Sequence, residues 1–219
     1  MRRLAVLRPE PGNAATAARI ASAGHDALRL PLFAVAPLDW TPPDPATHDA
    51  LILTSANTLR HGGTALSTLR ALPVLAVGQA TATAARAAGF QVLLTGTADA
   101  AQLLALAETH GITRALHLGG RERSMPESDI VAATIAVYAS EPLAIAAGQI
   151  AALDDTVALL HSVRAARRLS ELVPCRAHLR IAALSPAVRD AAGTGWAAAV
   201  TAATPQDAAL IAAAITLAD

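Results

Sequence analysis

Five stretches place small polar residues directly behind short apolar runs: Thr54-Ser55-Ala56-Asn57-Thr58, Gly78-Gln79-Ala80-Thr81, Gly119-Gly120-Arg121-Glu122-Arg123-Ser124, His161-Ser162-Val163-Arg164 and Ser185-Pro186-Ala187-Val188. At the carboxyl end of a parallel strand, where a helix begins, free N–H groups and a partial positive charge favour an anion. Taken singly, each stretch has a plainer use. Ser55 and Thr81 are good helix-capping or first-turn residues, and Gly78 would serve a tight turn. Five together point to an anionic ligand. Gly119 and Gly120, with Arg121 and Arg123 behind them, read equally as a glycine turn with solvated arginines or as a carboxylate or phosphate seat with a guanidinium beside it.

Tyr138 is the chain's single tyrosine and falls at the end of a predicted strand. It is either a core tyrosine with its hydroxyl satisfied or a side chain able to donate a proton to a leaving group. His161 follows an apolar run and reads as structural. No Ser-His-Asp or Cys-His constellation assembles from neighbouring signals, so covalent catalysis has no support. There is no Walker motif and no Gly-x-Gly-x-x-Gly. The histidines have no metal-ligand spacing, and Cys175 is the one cysteine, so neither a metal nor an internal disulfide is expected.

The elements that must carry these residues alternate. Apolar runs at 4–7, 50–53, 74–77, 92–94, 115–118, 134–138, 156–161, 180–184 and 197–200 are mostly followed by segments of helical period, among them 13–23, 57–70, 81–88 and 98–109. Continuous apolar strands, each followed by a helix, predict parallel sheets covered on both faces. An internal repeat is visible: the stretch from Asp49 resembles that from Asp155, and the stretch from Leu75 that from Ala182. One offset of 107 residues relates Ser55 to Ser162, Gly78 to Ser185 and Thr97 to Thr204. Two similar lobes follow from it. The segments 28–38 and 134–143 match neither repeat and end in proline, so they read as paired crossovers between lobes, with a cleft beside them.

Composition bounds the partners. Seventeen basic and 17 acidic residues give zero net charge, with no block of like charge, which argues against nucleic acid or a membrane surface held by bulk electrostatics. Apolar residues make up 53% and aromatics 2% of the 219 residues, so the core must be Ala, Leu and Val. The opening Met1-Arg2-Arg3 precedes an apolar run that stops at Arg8 and Pro9, too short for an export signal, and no run is long enough to span a membrane. A cytoplasmic protein is expected.

The segments Val6–Pro37, Asp49–Gly62, Leu75–Phe90, Leu116–Ser124, Ile135–Pro142 and Ser185–Ala192, in this order and spacing, resemble the uroporphyrinogen-III synthase family over nearly the whole chain. The resemblance implies two flavodoxin-like, doubly wound α/β lobes joined by a two-strand connector, one built from 1–34 with 142–219 and the other from 35–141, with the cleft between them. It implies a cofactor-free cyclising lyase of haem biosynthesis, which closes hydroxymethylbilane to uroporphyrinogen III with inversion of ring D and loss of water. It further implies a monomer receiving its substrate from the deaminase that makes it. Carried over by position, the family's tyrosine falls on Tyr138, its cleft threonine on Thr81, and its strand-end seats on Ser55, Ala56, Asn57, Gly119 and Ser162. Gly78 and Gln79 complete the Thr81 seat, and Gly120 and Arg121 the next.

The chain departs from the family in the second repeat. Where the family often has Gly-Pro-x-Thr, this chain has Ser185-Pro186-Ala187-Val188, and His161-Ser162-Val163-Arg164 replaces a commoner Ser-Pro-Ser-Ala. A threonine hydroxyl is therefore missing at Val188, and Arg164 and Ser185 are the residues available to substitute. The rival reading is a two-lobed small-molecule or tetrapyrrole-binding protein without catalysis.

Overall fold

The computed structural model describes residues 1–97, 100–122 and 125–219; Arg123 and Ser124 of the third polar stretch lie outside the described residues. The chain begins β1 (Leu4–Val6), α1 (Gly12–Ser22), β2 (Ala27–Arg29), β3 (Phe33–Pro37), β4 (Ala50–Leu53) and α2 (Ala56–His61). It continues β5 (Val74–Ala76), α3 (Gln79–Ala87), β6 (Val92–Thr95), α4 (Ala100–Thr109), β7 (Ala115–Gly120) and β8 (Val131–Pro142). The remainder is α5 (Ala147–Ala151), β9 (Val157–Leu160), α6 (Val163–Leu172), β10 (Arg180–Ala183), α7 (Pro186–Ala191), β11 (Ala198–Thr201) and α8 (Asp207–Ala218).

Two compact units divide the chain: Met1–Ala34 with Glu141–Asp219, and Val35–Ser140. The first holds a five-stranded sheet in the order β11-β10-β9-β1-β2, all parallel. A six-stranded sheet, β3-β8-β7-β4-β5-β6, lies mainly in the second, where β4, β5, β6, β7 and β8 pair in parallel. As their continuous apolar sequences require, β1, β4, β5 and β9 are buried along their whole length. In the first unit, Leu4, Val6 and Leu159 face Ile20, Leu210 and Ala214. On the opposite face, Ala158, Leu160 and Ile181 pack against Ala165, Leu169 and Val188. In the second, one face sets Leu51, Leu53 and Leu118 against Ala82, Ala85 and Leu69. The other sets Ile52 and Leu75 against Leu103, Leu104 and Ala107.

The 107-residue repeat is carried into hydrogen-bond register. Ala158 pairs with Ile181 in one sheet, and Leu51, 107 positions earlier, pairs with Val74 in the other. The match continues until a register shift at Val74/Leu75, on the strand that pairs with β6.

One predicted element is interrupted. Instead of a single helix over 57–70, α2 stops at His61 and a 3-10 segment runs from Thr64 to Leu69. Gly63 has φ of 67°, a left-handed conformation that favours glycine, and a Cβ on Gly62 would lie 2.5 Å from Leu66 Cδ1. β8 is longer than the apolar run at 134–138 indicated, beginning at Val131 and ending at Pro142.

Asn13, in the first turn of α1, is fully buried and closes the end of β1. Its Nδ2 donates to the carbonyls of Val6 at 2.7 Å and Arg8 at 2.9 Å, while its Oδ1 accepts from Arg29 Nε at 3.1 Å. Asn13→Ala removes the side-chain donor from both carbonyls, of which Val6 keeps the N–H of Leu30, and takes the acceptor from Arg29 Nε; a loss of about 2 kcal/mol is expected in urea unfolding of the full chain. A loss below about 0.5 kcal/mol would mean that water replaces the amide without cost.

Candidate active site at the strand ends

In the second unit the candidate residues lie at the carboxyl ends of three neighbouring strands, β7, β4 and β5, with Tyr138 inside β8 paired with Gly120 at the end of β7. Ser55 caps α2, its Oγ accepting from the N–H of Asn57 at 3.2 Å, and Ala56 opens that helix. Asn57 Oδ1 accepts from Arg60 at 2.8 Å. Gly78 caps α3 without a side chain, so the first-turn N–H groups beside Gln79 receive no hydroxyl from the cap. Its backbone is extended, with φ of −157°, and the space a Cβ would take is open. No tight turn therefore demands glycine there. Thr81 lies in the first turn of α3 and is 6% exposed.

Gly119 and Gly120 end β7, and here absence of a side chain is required by neighbours. A Cβ on Gly119 would meet the His117 ring at 2.8 Å, and one on Gly120 would meet Tyr138 Cε2 at 2.6 Å and its hydroxyl oxygen at 3.0 Å. Tyr138 is 5% exposed and packs with Leu116, Leu118 and Val137. Its carbonyl accepts from the N–H of Arg121 at 2.9 Å. The Arg121 guanidinium lies 3.4 Å from Glu122, whose other oxygen accepts from the N–H of Ser140. Beside the two alternatives of a turn and an anion seat, these glycines have a packing reason: they admit two rings, one from each side of the strand.

His117 and His61 escaped the sequence reading. His117 is 1% exposed, with Nε2 3.4 Å from Thr54 Oγ1 and Nδ1 buried without a partner among the described residues. Burial pushes its pKa down to about 4, so the ring is neutral. His61, at the last turn of α2, has its ring centroid 6.2 Å from that of Tyr138 at an interplanar angle of 42°. Burial, and then the charge on Arg60, hold its pKa below the ordinary histidine value.

In the first unit, Ser162 and Ser185 cap α6 and α7, their hydroxyls accepting from Ala165 N–H at 3.2 Å and Val188 N–H at 3.4 Å. They stand on adjacent strands, β9 and β10. The Arg164 guanidinium lies 4.4 Å over the Phe33 ring. Val188, which stands where Thr81 does in the repeat, is 5% exposed in the core.

His161 is held by a network no local signal disclosed. Its Nε2 lies 2.7 Å from Asp207 Oδ1, which also accepts from Thr16 Oγ1 at 2.9 Å and sits 3.6 Å from Arg8. Arg19 donates to the other carboxylate oxygen at 2.6 Å. Burial raises the Asp207 pKa, but the hydrogen bonds from His161, Thr16 and Arg19 outweigh it and leave the group below its ordinary value. With Thr16 on the carboxylate rather than on the imidazole, this is not a nucleophile–base arrangement. Among the described residues, no three His, Cys, Asp or Glu side chains are grouped to hold a metal, and no helix is long and apolar enough to cross a membrane.

Parallel sheets whose strands lead into capped helices define an α/β protein. The family model for uroporphyrinogen-III synthase HemD (HEM4) matches residues 14–212, and the chain belongs to this family. The family is one of cyclising lyases of haem biosynthesis. The fold is similar to the crystal structure of uroporphyrinogen-III synthetase from Helicobacter pylori 26695, with TM-score 0.69, 16% identity and coverage of 99% of this chain and 100% of that one. It is also similar to a mutant uroporphyrinogen III synthase from the extremely thermophilic bacterium Thermus thermophilus, with TM-score 0.51, 15% identity and coverage of 100% and 98%. No curated protein sequence matches the chain.

The neutral His117 makes a pH prediction. Its folded pKa, about 4, lies below the ordinary 6.5, so between those values the unfolded chain binds the extra proton and stability falls with acid. The penalty is absent above pH 6.5 and amounts to about 2–3 kcal/mol at pH 4.5. His161, also depressed, acts in the same sense. In urea unfolding at pH 7 and 4.5, His117→Gln should lose distinctly less stability on acidification than the parent; equal losses would refute the assignment.

Proposed function

We propose that this chain catalyses the family's reaction, closing hydroxymethylbilane to uroporphyrinogen III with inversion of ring D and loss of water. The observation that carries the reading is the family match over residues 14–212. The chain is read as two flavodoxin-like lobes, since strand order 2-1-3-4-5 describes the first unit when its strands are renumbered in chain order.

Ring A must lose its hydroxyl to give an electrophilic azafulvene, and the substituted carbon of ring D then attacks through a spiro intermediate. Electrons are pushed by the pyrrole nitrogens, so the protein assists departure of water, holds one conformer and shields the cation from the uninverted closure. Tyr138 is assigned to the departing hydroxyl, to which a phenol O–H can donate. The acetate and propionate groups are assigned to N–H groups and hydroxyls at Ser55, Ala56, Asn57, Gly78, Gln79, Thr81, Gly119, Gly120 and Arg121. On the other unit Ser162, Arg164 and Ser185 take this part, with Val188 offering no hydroxyl. Directed donors of this kind suit a chain of zero net charge. The protein is proposed to act as a cytoplasmic monomer, taking its substrate from the deaminase.

A non-catalytic tetrapyrrole-binding protein is the alternative that an assay separates. With hydroxymethylbilane generated from porphobilinogen by its deaminase, this chain should yield predominantly the type III isomer; type I alone from folded protein would leave only a binding role. Tyr138→Phe should lower kcat by about tenfold to a hundredfold without abolishing type III formation, because positioning supplies much of the rate. An unchanged kcat would remove Tyr138 from the chemistry.

A further inference from the structure

Tyr138 is enclosed from two directions by elements that are themselves tied together. Gly120 lies so close to the hydroxyl end of the ring that a Cβ there would stand 2.6 Å from Cε2, 2.8 Å from Cζ and 3.0 Å from the hydroxyl oxygen. From α2, the tilted His61 ring stands 6.2 Å away, centroid to centroid. The two supports are not independent: Thr58, buried on α2, donates its hydroxyl proton to the carbonyl of Leu118 on β7 at 3.2 Å, two residues before Gly120. Trp40 Nε1 donates to the carbonyl of Gly62 at 3.0 Å, fixing the turn that carries His61. The N–H of Arg121 holds the carbonyl of Tyr138 itself.

We propose that Gly120 and His61 are positioning residues, a clamp that fixes the Tyr138 phenol in one orientation toward the departing hydroxyl of the substrate. The inference rests on the assignment of Tyr138 made above. Gly120 is glycine here because of ring space, since its backbone is ordinary extended strand that any residue can adopt. A methyl group at this position moves the hydroxyl end of the ring, and a misplacement of about 1 Å costs roughly a hundredfold in rate. His61 closes the ring from the helix side and limits its rotation. His117, beside Gly119, is on the opposite face of the sheet, with the odd-numbered residues of β7, and takes no part in the clamp.

One tyrosine in the chain allows the clamp to be read without any assay of activity. In protein labelled with carbon-13 at the tyrosine ε positions, a clamped ring flips slowly and should give two ε signals. His61→Ala, a change at a partly exposed helix end, should merge them into one. Two unmerged signals in that variant, or one averaged signal in the parent, would overturn the clamp. For the catalytic half, Gly120→Ala should lower kcat by roughly tenfold to a hundredfold with little change in KM, and the same change in a Tyr138→Phe background should cost little more. Equal losses in both backgrounds would show that Gly120 acts through something other than the phenol. If the parent forms no type III isomer, the assignment of function fails, while the ring signals still decide whether the phenol is held.

Discussion

A parallel sheet covered by helices on both faces has no wet face, and this constraint places the helix-capping hydroxyls at strand ends. β4, β5 and β9 are buried along their length, and their neighbours are Ala, Leu, Val and Ile. The first groups free to meet a ligand are those where the strand stops and a helix begins. At that point the chain must supply caps, and Ser55, Ser162 and Ser185 do so. The same residues that end the core therefore form the candidate seats. α2 and α7 are six residues long, so what they present is a few N–H groups rather than a large helix dipole.

The repeat shows how one scaffold was dressed in two ways. Position 54 of the second unit is Thr54, set against a neutral imidazole; its counterpart 107 residues later is His161, paired with a carboxylate. Asp207, which draws three side-chain hydrogen bonds, corresponds to Ala100. Thr81 corresponds to Val188, and both are buried, so the two units differ there by a hydroxyl within the core. Backbone pairing tolerates all of this because these positions lie just beyond the strands or in helices, outside the apolar strand pattern that sets register.

Legibility in the sequence followed the range of the interactions. Continuous apolar runs and helical spacing are local, and they disclosed the strands, the parallel sheets and the helix starts. Gly62 and Gly63 broke a helix that apolar spacing alone extended to residue 70, although two adjacent glycines are themselves a local warning. His117 was unreadable because nothing in Leu116-His117-Leu118 tells which side of the strand meets Thr54, 63 residues away. The Asp207 network joins residues 46 and 191 positions apart, and no pattern along the chain brings Thr16, His161 and Asp207 together. Glycine at 119 and 120 reads equally as a turn or as an anion seat; only the packing of two rings reveals why side chains are excluded.

The ion pairs bear on how an acid would be recognised. In the first unit Asp207 engages Arg8 and Arg19, and Glu10 engages Arg29, so these three guanidinium groups already have carboxylate partners beside the carboxyl end of β1. Arg164 is committed to the face of Phe33. Attraction at long range is therefore weak, in keeping with zero net charge, and the proposed function gives recognition to N–H groups and hydroxyls that act only within hydrogen-bonding distance. Such donors reward a ligand whose carboxylates arrive in the right places and do little for one whose carboxylates do not. For a reaction that must choose between two ring closures of the same flexible chain, recognition by position rather than by charge is the physically appropriate kind.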